Sequence, residues 1–272
     1  MFKWQTDDYY KYTKEPYIIA EVGSTWKGKN DDESLHNCIR CVELAAEYGA
    51  SAVKFQLFNH AELYGIDGDN SFALPRGFIP PIANSAHDLS IDFLCSAFSL
   101  AGYDFIDTYV KMHKVASAMV GDLDVITKLD RQKKPVLVSD GMFDVPFGGP
   151  WIPMICASEY PAQTTSYNLM SVWEYAIRSK NGWGLSDHTT GSFIGPLFRA
   201  NGCTYFEKHV NFMGKTDNPD YAVSLSSEQF GLYCDAIRKI EVGRPTYCKL
   251  SGRRLWGNRW DKEKKGYYRP KA

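Results

Sequence analysis

Short apolar segments alternate with helix-like stretches along this chain, and that alternation limits the fold more than any single motif. Strand-like runs fall at 17–22, 51–57, 91–96, 112–117, 135–139, 152–157, 182–186 and 204–207. Helical patterns fall at 32–48, 83–89, 99–109, 121–132, 167–179 and 226–241, with a further apolar run between 191 and 204. The first helix is opened by Asn30 or Asp31 and stopped by Gly49. Strand, helix and strand joined by short loops imply parallel pairing and right-handed crossovers. Eight such units in a chain of 272 residues predict an α/β fold, a closed (β/α)8 TIM barrel over residues 17–243. One unit is defective. The link after the fifth strand, 141–150, is short and rich in Pro and Gly, so the outer helix between strands 5 and 6 is expected to be missing.

The flanking segments read differently. Residues 1–16 are polar and rich in tyrosine, an N-terminal arm or barrel cap. Residues 244–272 carry ten Lys or Arg against two acids, interleaved with Trp256, Trp260, Tyr267 and Tyr268. This tail suits a surface arm that packs its aromatics; nucleic-acid contact is the weaker reading, because aromatics between cations stack on bases. With a net charge of −1, the chain as a whole offers no argument for nucleic acid or an anionic membrane. It has neither a long apolar run nor an apolar signal core at its start, so no membrane contact and a cytoplasmic location are expected. Cys38 and Cys41 form a CxxC on one helix face without a second metal-type pair, and they read as core, as do Cys95, Cys156 and Cys203.

In a barrel the chemistry sits at the C-terminal strand ends. Seven of the eight strands end in polar or ionisable residues: Glu21, Lys54 with Gln56, Ser96, Lys114 with Ser117, Ser139, Ser186 with His188, and Glu207 with His209. Alternation puts Lys54 and Gln56 on one face, and Glu207 and His209 on one face. A core strand has no use for charge at that parity. Lys54, Lys114 and the hydroxyls of Ser117, Ser139 and Ser186 suit a phosphate with a carboxylate. His188 and His209 suit a divalent metal that polarises a carbonyl. Glu21, Glu207 and Asp220 are acceptors for hydroxyls, metal-bound water or a proton. The competing reading of Lys54 is a simple ion pair with a nearby glutamate. His36, His60, His87 and His113 read as structural.

The stretches Ile19-Ala20-Glu21-Val22-Gly23, Lys54-Phe55-Gln56, Lys114-Val115-Ala116-Ser117, Ser139-Asp140-Gly141, Cys156-Ala157-Ser158-Glu159-Tyr160-Pro161, Asn168-Leu169, Gly184-Leu185-Ser186-Asp187-His188-Thr189, Phe206-Glu207-Lys208-His209 and Pro219-Asp220 occur in one order. In these the chain resembles the sialic acid synthases, the N-acetylneuraminate synthase or NeuB-like family. The resemblance implies a metal-assisted, aldol-type condensation of phosphoenolpyruvate with the aldehyde of an N-acetylated hexosamine, releasing phosphate. It implies Mn²⁺ or Mg²⁺ on His188 and His209, with Glu207 a further ligand through water. Phosphoenolpyruvate would lie on Lys54, Lys114, Ser117, Ser139, Asn168 and Ser186, the aldose sugar near Glu21, Gln56, Tyr160 and Asp220, and Ser96 would join the substrate-binding set. Glu21, Lys54, His188 and His209 would carry the catalysis.

The departures fall on the sugar side. The family's glutamate two residues after Ser117 is Met119, its threonine after Ser96 is Ala97, its Asn-His pair is Thr25-Trp26, and its histidine after Asp220 is Tyr221. Full-length members add a C-terminal antifreeze-like domain that lends an arginine to the partner subunit, which implies a homodimer. This chain is expected to lack that domain, and Arg253 or Arg254 is a second reading of the basic tail. The same chemistry on another aldehyde, or a barrel that binds without turnover, are the alternatives the departures leave open.

Overall fold

The computed structural model describes residues 15–144, 150–167, 175, 178, 179, 181–240, 259–261 and 266–268. Eight parallel strands close in sequence order: β1 Tyr17–Glu21, β2 Ala52–Leu57, β3 Asp92–Ala97, β4 His113–Val115, β5 Val136–Ser139, β6 Trp151–Cys156, β7 Gly184–Asp187 and β8 Tyr205–His209. The barrel expectation therefore holds. Helices α1 Asp31–Glu47, α2 His60–Tyr64, α3 Ile79–Asp88, α4 Leu100–Ile106, α5 Leu123–Asp130, α6 Ile194–Ala200 and α7 Ser227–Lys239 lie outside it. Among the described residues no helix joins β5 to β6.

Local chemistry explains most boundaries. The Asn30 side chain accepts from Glu33 N and starts α1. Ser226 and Gln229 form a reciprocal capping box that starts α7. A second box, Asn59 with Glu62, starts the short α2 inside a loop where no helix was expected. Strand β4 is shorter than expected, because Ser117–Met119 turns into a 3-10 segment closed by Met119 N on Ala116 O. Strand β8 is longer, because its end pairs with β1 as far as Glu21 opposite His209. Most of the expected helix over 167–179, most of the arm at 1–16 and the tail residues Arg253 and Arg254 fall outside the described residues.

Contacts divide the chain into two compact units, Met1–Val242 and Gly243–Ala272. In the second, β9 Arg259–Asp261 and β10 Gly266–Tyr268 pair antiparallel, with Trp260 opposite Tyr267. Among the described residues no helix is long and apolar enough to cross a membrane.

The barrel wall has two faces with different contents. The outward residues join the helices in one large apolar core that includes Ile18, Val53, Phe93, Leu185, Phe206 and Val210. Cys38 and Cys41 lie in this core, and burial pushes both thiols well above the usual range, as a packing role requires. Inside the barrel a separate cluster forms a floor of Ile19, Ala52, Leu94, Leu137, Ile152 and Met154, with Tyr17, Met112 and Tyr205 against it. Gly184 gives this floor its space, since a Cβ there would stand 2.9 Å from both Met154 Cγ and Tyr205 O. Two residues further along the strands, alternation brings up the next inward layer. It holds the site.

Candidate active site

The inward layer above the floor contains Glu21, Lys54, Ser96, Lys114, Ser139, Ser186 and Glu207, all buried. Each follows a floor position by two residues or shares its register: Glu21 lies beside Lys54, Gln56 beside Ser96, Ser96 beside Lys114, and Ser186 beside Glu207. Placing so many polar groups above an apolar floor costs desolvation, so their pairing is close.

Glu207 is the centre of that pairing. Its Oε2 lies 3.5 Å from Lys54 Nζ and its Oε1 lies 3.6 Å from Lys114 Nζ. Ser186 Oγ donates to Oε1 at 3.1 Å. Burial opposes the charge on Glu207, but the two ammonium groups win and bring its carboxyl down to about 2. Lys54 also reaches Glu21 Oε2 at 2.7 Å and donates to Ser96 Oγ at 3.1 Å. Its burial opposes the charge, but Glu207 and Glu21 more than offset it and raise its pKa. The ion-pair reading of Lys54 is thus present together with its place in the inward layer. Lys114 donates to Ser139 Oγ at 2.8 Å, and burial lowers its pKa despite Glu207. Gln56 Nε2 donates to Glu21 Oε1 at 2.7 Å, so Gln56, Glu21, Lys54 and Ser96 are one connected group.

The histidines stand one step higher. His188 Nδ1 is 2.7 Å from the Ala157 carbonyl, which can only accept, so Nδ1 carries the proton. Nε2 keeps its lone pair and receives the Tyr160 hydroxyl at 3.1 Å. Burial, with His209 nearby, holds the His188 ring neutral by lowering its pKa to about 3. The two imidazole centroids are 5.5 Å apart, and the Tyr160 ring stacks on His188 at 4.2 Å. His209 Nδ1 is buried without a hydrogen bond, 3.5 Å from Asp220 Oδ1. Asp220 Oδ2 accepts from Ser24 N at 2.8 Å and from Ser24 Oγ at 2.6 Å. Gly23 is required at this crossing: its φ is +55°, and a Cβ would stand 2.4 Å from Asp220 Oδ2.

A neutral imidazole with an unprotonated Nε2, here accepting from Tyr160, and a second with an orphaned buried Nδ1 are the donor types a divalent metal takes. Among the described residues no group of three or more His, Cys, Asp or Glu side chains gathers as a cage. An ion on the two histidines would leave positions for oxygen ligands, so the pair fits an open site better than a closed structural one.

The structure thus joins Glu21, Lys54, Gln56, Ser96, Lys114, Ser139, Ser186, His188, Glu207, His209, Tyr160 and Asp220 at one end of the barrel. Ser117 stands at its edge, hydrogen-bonded to the Ser158 hydroxyl at 2.8 Å. Asn168 lies outside the described residues. Three participants were not apparent from sequence. Cys156 reads as core, yet it is only partly buried, with Sγ 3.9 Å from His188 Nδ1. Its inward parity with Ile152 and Met154 is the signal that finds it. Tyr167, whose OH donates to Ser186 O at 3.0 Å and receives His188 N at 2.8 Å, and Ser24 lie in loops without a local signal. On the sugar side, Met119 is buried in the apolar core, as is Trp26. Thr25 is spent on the carbonyls of Val22 and Val210.

Comparison with known proteins decides the family. A model of the NeuB family matches residues 41–146 and 151–245. The chain belongs to the NeuB family. It is 25% identical to the N,N'-diacetyllegionaminic acid synthase of Campylobacter jejuni, over 84% of this chain and 77% of that protein. It is 26% identical to the pseudaminic acid synthase of Helicobacter pylori, over 82% of this chain and 74% of that one. Among solved structures, the N-acetylneuraminic acid synthetase of Leptospira borgpetersenii superposes with a TM-score of 0.77 at 20% identity, covering 84% of this chain and 85% of that one. A truncated 3-deoxy-D-arabino-heptulosonate 7-phosphate synthase of Thermotoga maritima shares the fold with a TM-score of 0.62 at 14% identity, covering 82% of this chain and 85% of that one. This NeuB-family chain is an enzyme of the synthase kind, as its strand ends lead one to expect.

Proposed function

We propose that this enzyme condenses phosphoenolpyruvate with the open-chain aldehyde of an N-acetylated hexosamine and releases phosphate. The observation that carries the reading is the pair of buried lysines bridged by Glu207, directly below two close imidazoles. Lys54, Lys114 and the hydroxyls of Ser96, Ser139 and Ser186 supply cations and donors at one depth, which suits a ligand bearing phosphate and carboxylate together. Ser117 and Asn168 extend that set. Glu21, Gln56, Tyr160 and Asp220 face the second substrate. In the reaction, carbon 3 of phosphoenolpyruvate bonds to the aldehyde carbon, and the aldehyde oxygen takes a proton. Water adds at carbon 2, and the carbon–oxygen bond to phosphate breaks. Lys54 and Lys114 stabilise the departing charge.

His188 and His209 would hold Mn²⁺ or Mg²⁺, with Glu207 reaching it through water, and the ion would supply Lewis-acid polarisation of the aldehyde. Ala157 fixes the His188 tautomer such a role needs. A cytoplasmic homodimer is the form this reading takes over from the resemblance.

A second reading, the same chemistry on a different aldehyde, is favoured by Met119, which is apolar and buried in the core. The test is phosphate release from phosphoenolpyruvate with Mn²⁺ across a panel of aldoses. Release with N-acetylmannosamine supports the first reading, and release only with other aldoses supports the second. Binding of phosphoenolpyruvate without release for any aldose would sink both and leave a binding module.

A further inference from the structure

Each of the two histidines is preceded by a buried charge. Asp187 precedes His188 on β7, and Lys208 precedes His209 on β8; the two are register partners. Lys208 Nζ stands 3.2 Å from Asp187 Oδ1, and neither side chain has any solvent exposure. Alternation turns both outward, away from the inward layer, into the apolar shell that Leu185, Phe206 and Val210 share with the helices. An apolar pair of similar volume there would be as stable or more so, because buried ion pairs barely recover their desolvation cost. Stability alone therefore does not account for this pair.

Its remaining bonds show what it holds. Asp187 Oδ1 also accepts from Thr189 N at 2.9 Å and from Thr189 Oγ1 at 2.7 Å. Lys208 Nζ donates to the Thr189 carbonyl. The chain on both sides of His188 is thus tied to the residue immediately before His209. We propose that Asp187 and Lys208, with Thr189, are positioning residues whose buried bridge sets the spacing and aim of the two imidazoles. Neither charge touches the reacting atoms. The inference rests on His188 and His209 being the working pair at the barrel mouth.

The experiment compares wild type with the double variant Asp187→Asn/Lys208→Met, which removes both charges while keeping similar volume. It reads the melting temperature, the nitrogen-15 spectrum of the histidine rings, and Mn²⁺ affinity by titration. In wild type the His188 ring should appear as one Nδ1–H tautomer. In the double variant the melting temperature should hold, the His188 signal should spread or average between tautomers, and Mn²⁺ affinity should fall about 10- to 100-fold. A folded double variant with wild-type ring spectra and wild-type affinity overturns the proposal. Should the double variant fail to fold, Thr189→Val removes one tie without touching a charge and should disturb the same ring signal, while Thr189→Ser should restore it. Unchanged ring signals in Thr189→Val then overturn the proposal. The ring spectra need no metal, so a wild type that binds no Mn²⁺ counts against the metal reading alone, and the spectra still decide this one.

Discussion

The barrel interior holds two layers made by the same strands. The lower layer, Ile19, Ala52, Leu94, Leu137, Ile152 and Met154, is apolar and packs upon itself. Two residues further along lies the upper layer, with two glutamates, two lysines and three serines, equally buried. Burial and parity do not distinguish the two layers, so the difference lies in what each does with burial. The lower layer gains free energy from it. The upper layer loses by it and recovers the loss only through Glu207, Glu21 and their partners. A chain selected for stability alone would continue the floor upward.

Three substitutions probe this contrast, in order of expected effect. His188→Ala should lower metal-dependent phosphate release by about a thousandfold, comparable to losing a main electrostatic stabiliser, while the fold persists; steady-state assay and thermal melt check it together. Release that survives would remove His188 from the reaction. Leu94→Ala in the floor should do the reverse, costing about 2–5 kcal/mol of stability, with catalysis per folded molecule little changed; denaturant unfolding beside active-site titration reads both. Gly23→Ala forces a side chain into a left-handed backbone position, a cost of about 1–2 kcal/mol, and drives its Cβ against Asp220. It should lower activity as well as stability, since His209 lies beside that carboxylate.

The smallest effect concerns pH. The His188 pKa is depressed from 6.5 to about 3, so the folded chain refuses a proton that the unfolded chain accepts. That contribution is complete above pH 6.5 and is lost as pH falls toward 3. His188→Ala should therefore flatten the slope of stability against pH in that window, by up to about 1.4 kcal/mol per pH unit. Parallel slopes for wild type and variant would show that burial does not hold the ring neutral. Glu207, held down to about 2, contributes above the ordinary carboxylate range and loses its contribution as pH approaches 2.

The contrast between the layers also marks what the sequence could reveal. The alternation that puts Leu94 and Ser96, or Tyr205 and Glu207, on one inward face is a local rule, and it delivers the inward polar layer strand by strand. It would have delivered Cys156 had parity outweighed the apolar neighbourhood. The outward charges Asp187 and Lys208 break the same rule and were readable as an exception on adjacent strands. The bond from Ser24 to Asp220, across 196 positions, had no local trace. Nor did the stacking of Tyr160 on His188, which depends on how the loop after β6 returns over the barrel. Residues set by strand periodicity were legible by local rule; Tyr160 and Asp220, set by loop closure, were named, but the contacts that place them were not.

A crystal structure of the enzyme with phosphoenolpyruvate and Mn²⁺ tests the contrast most directly. Phosphate and carboxylate are expected on Lys54, Lys114 and Ser139, and the ion on His188 and His209 with Tyr160 displaced from Nε2. Phosphoenolpyruvate bound elsewhere, with Glu207 still bridging both lysines and Tyr160 still on His188, would contradict it.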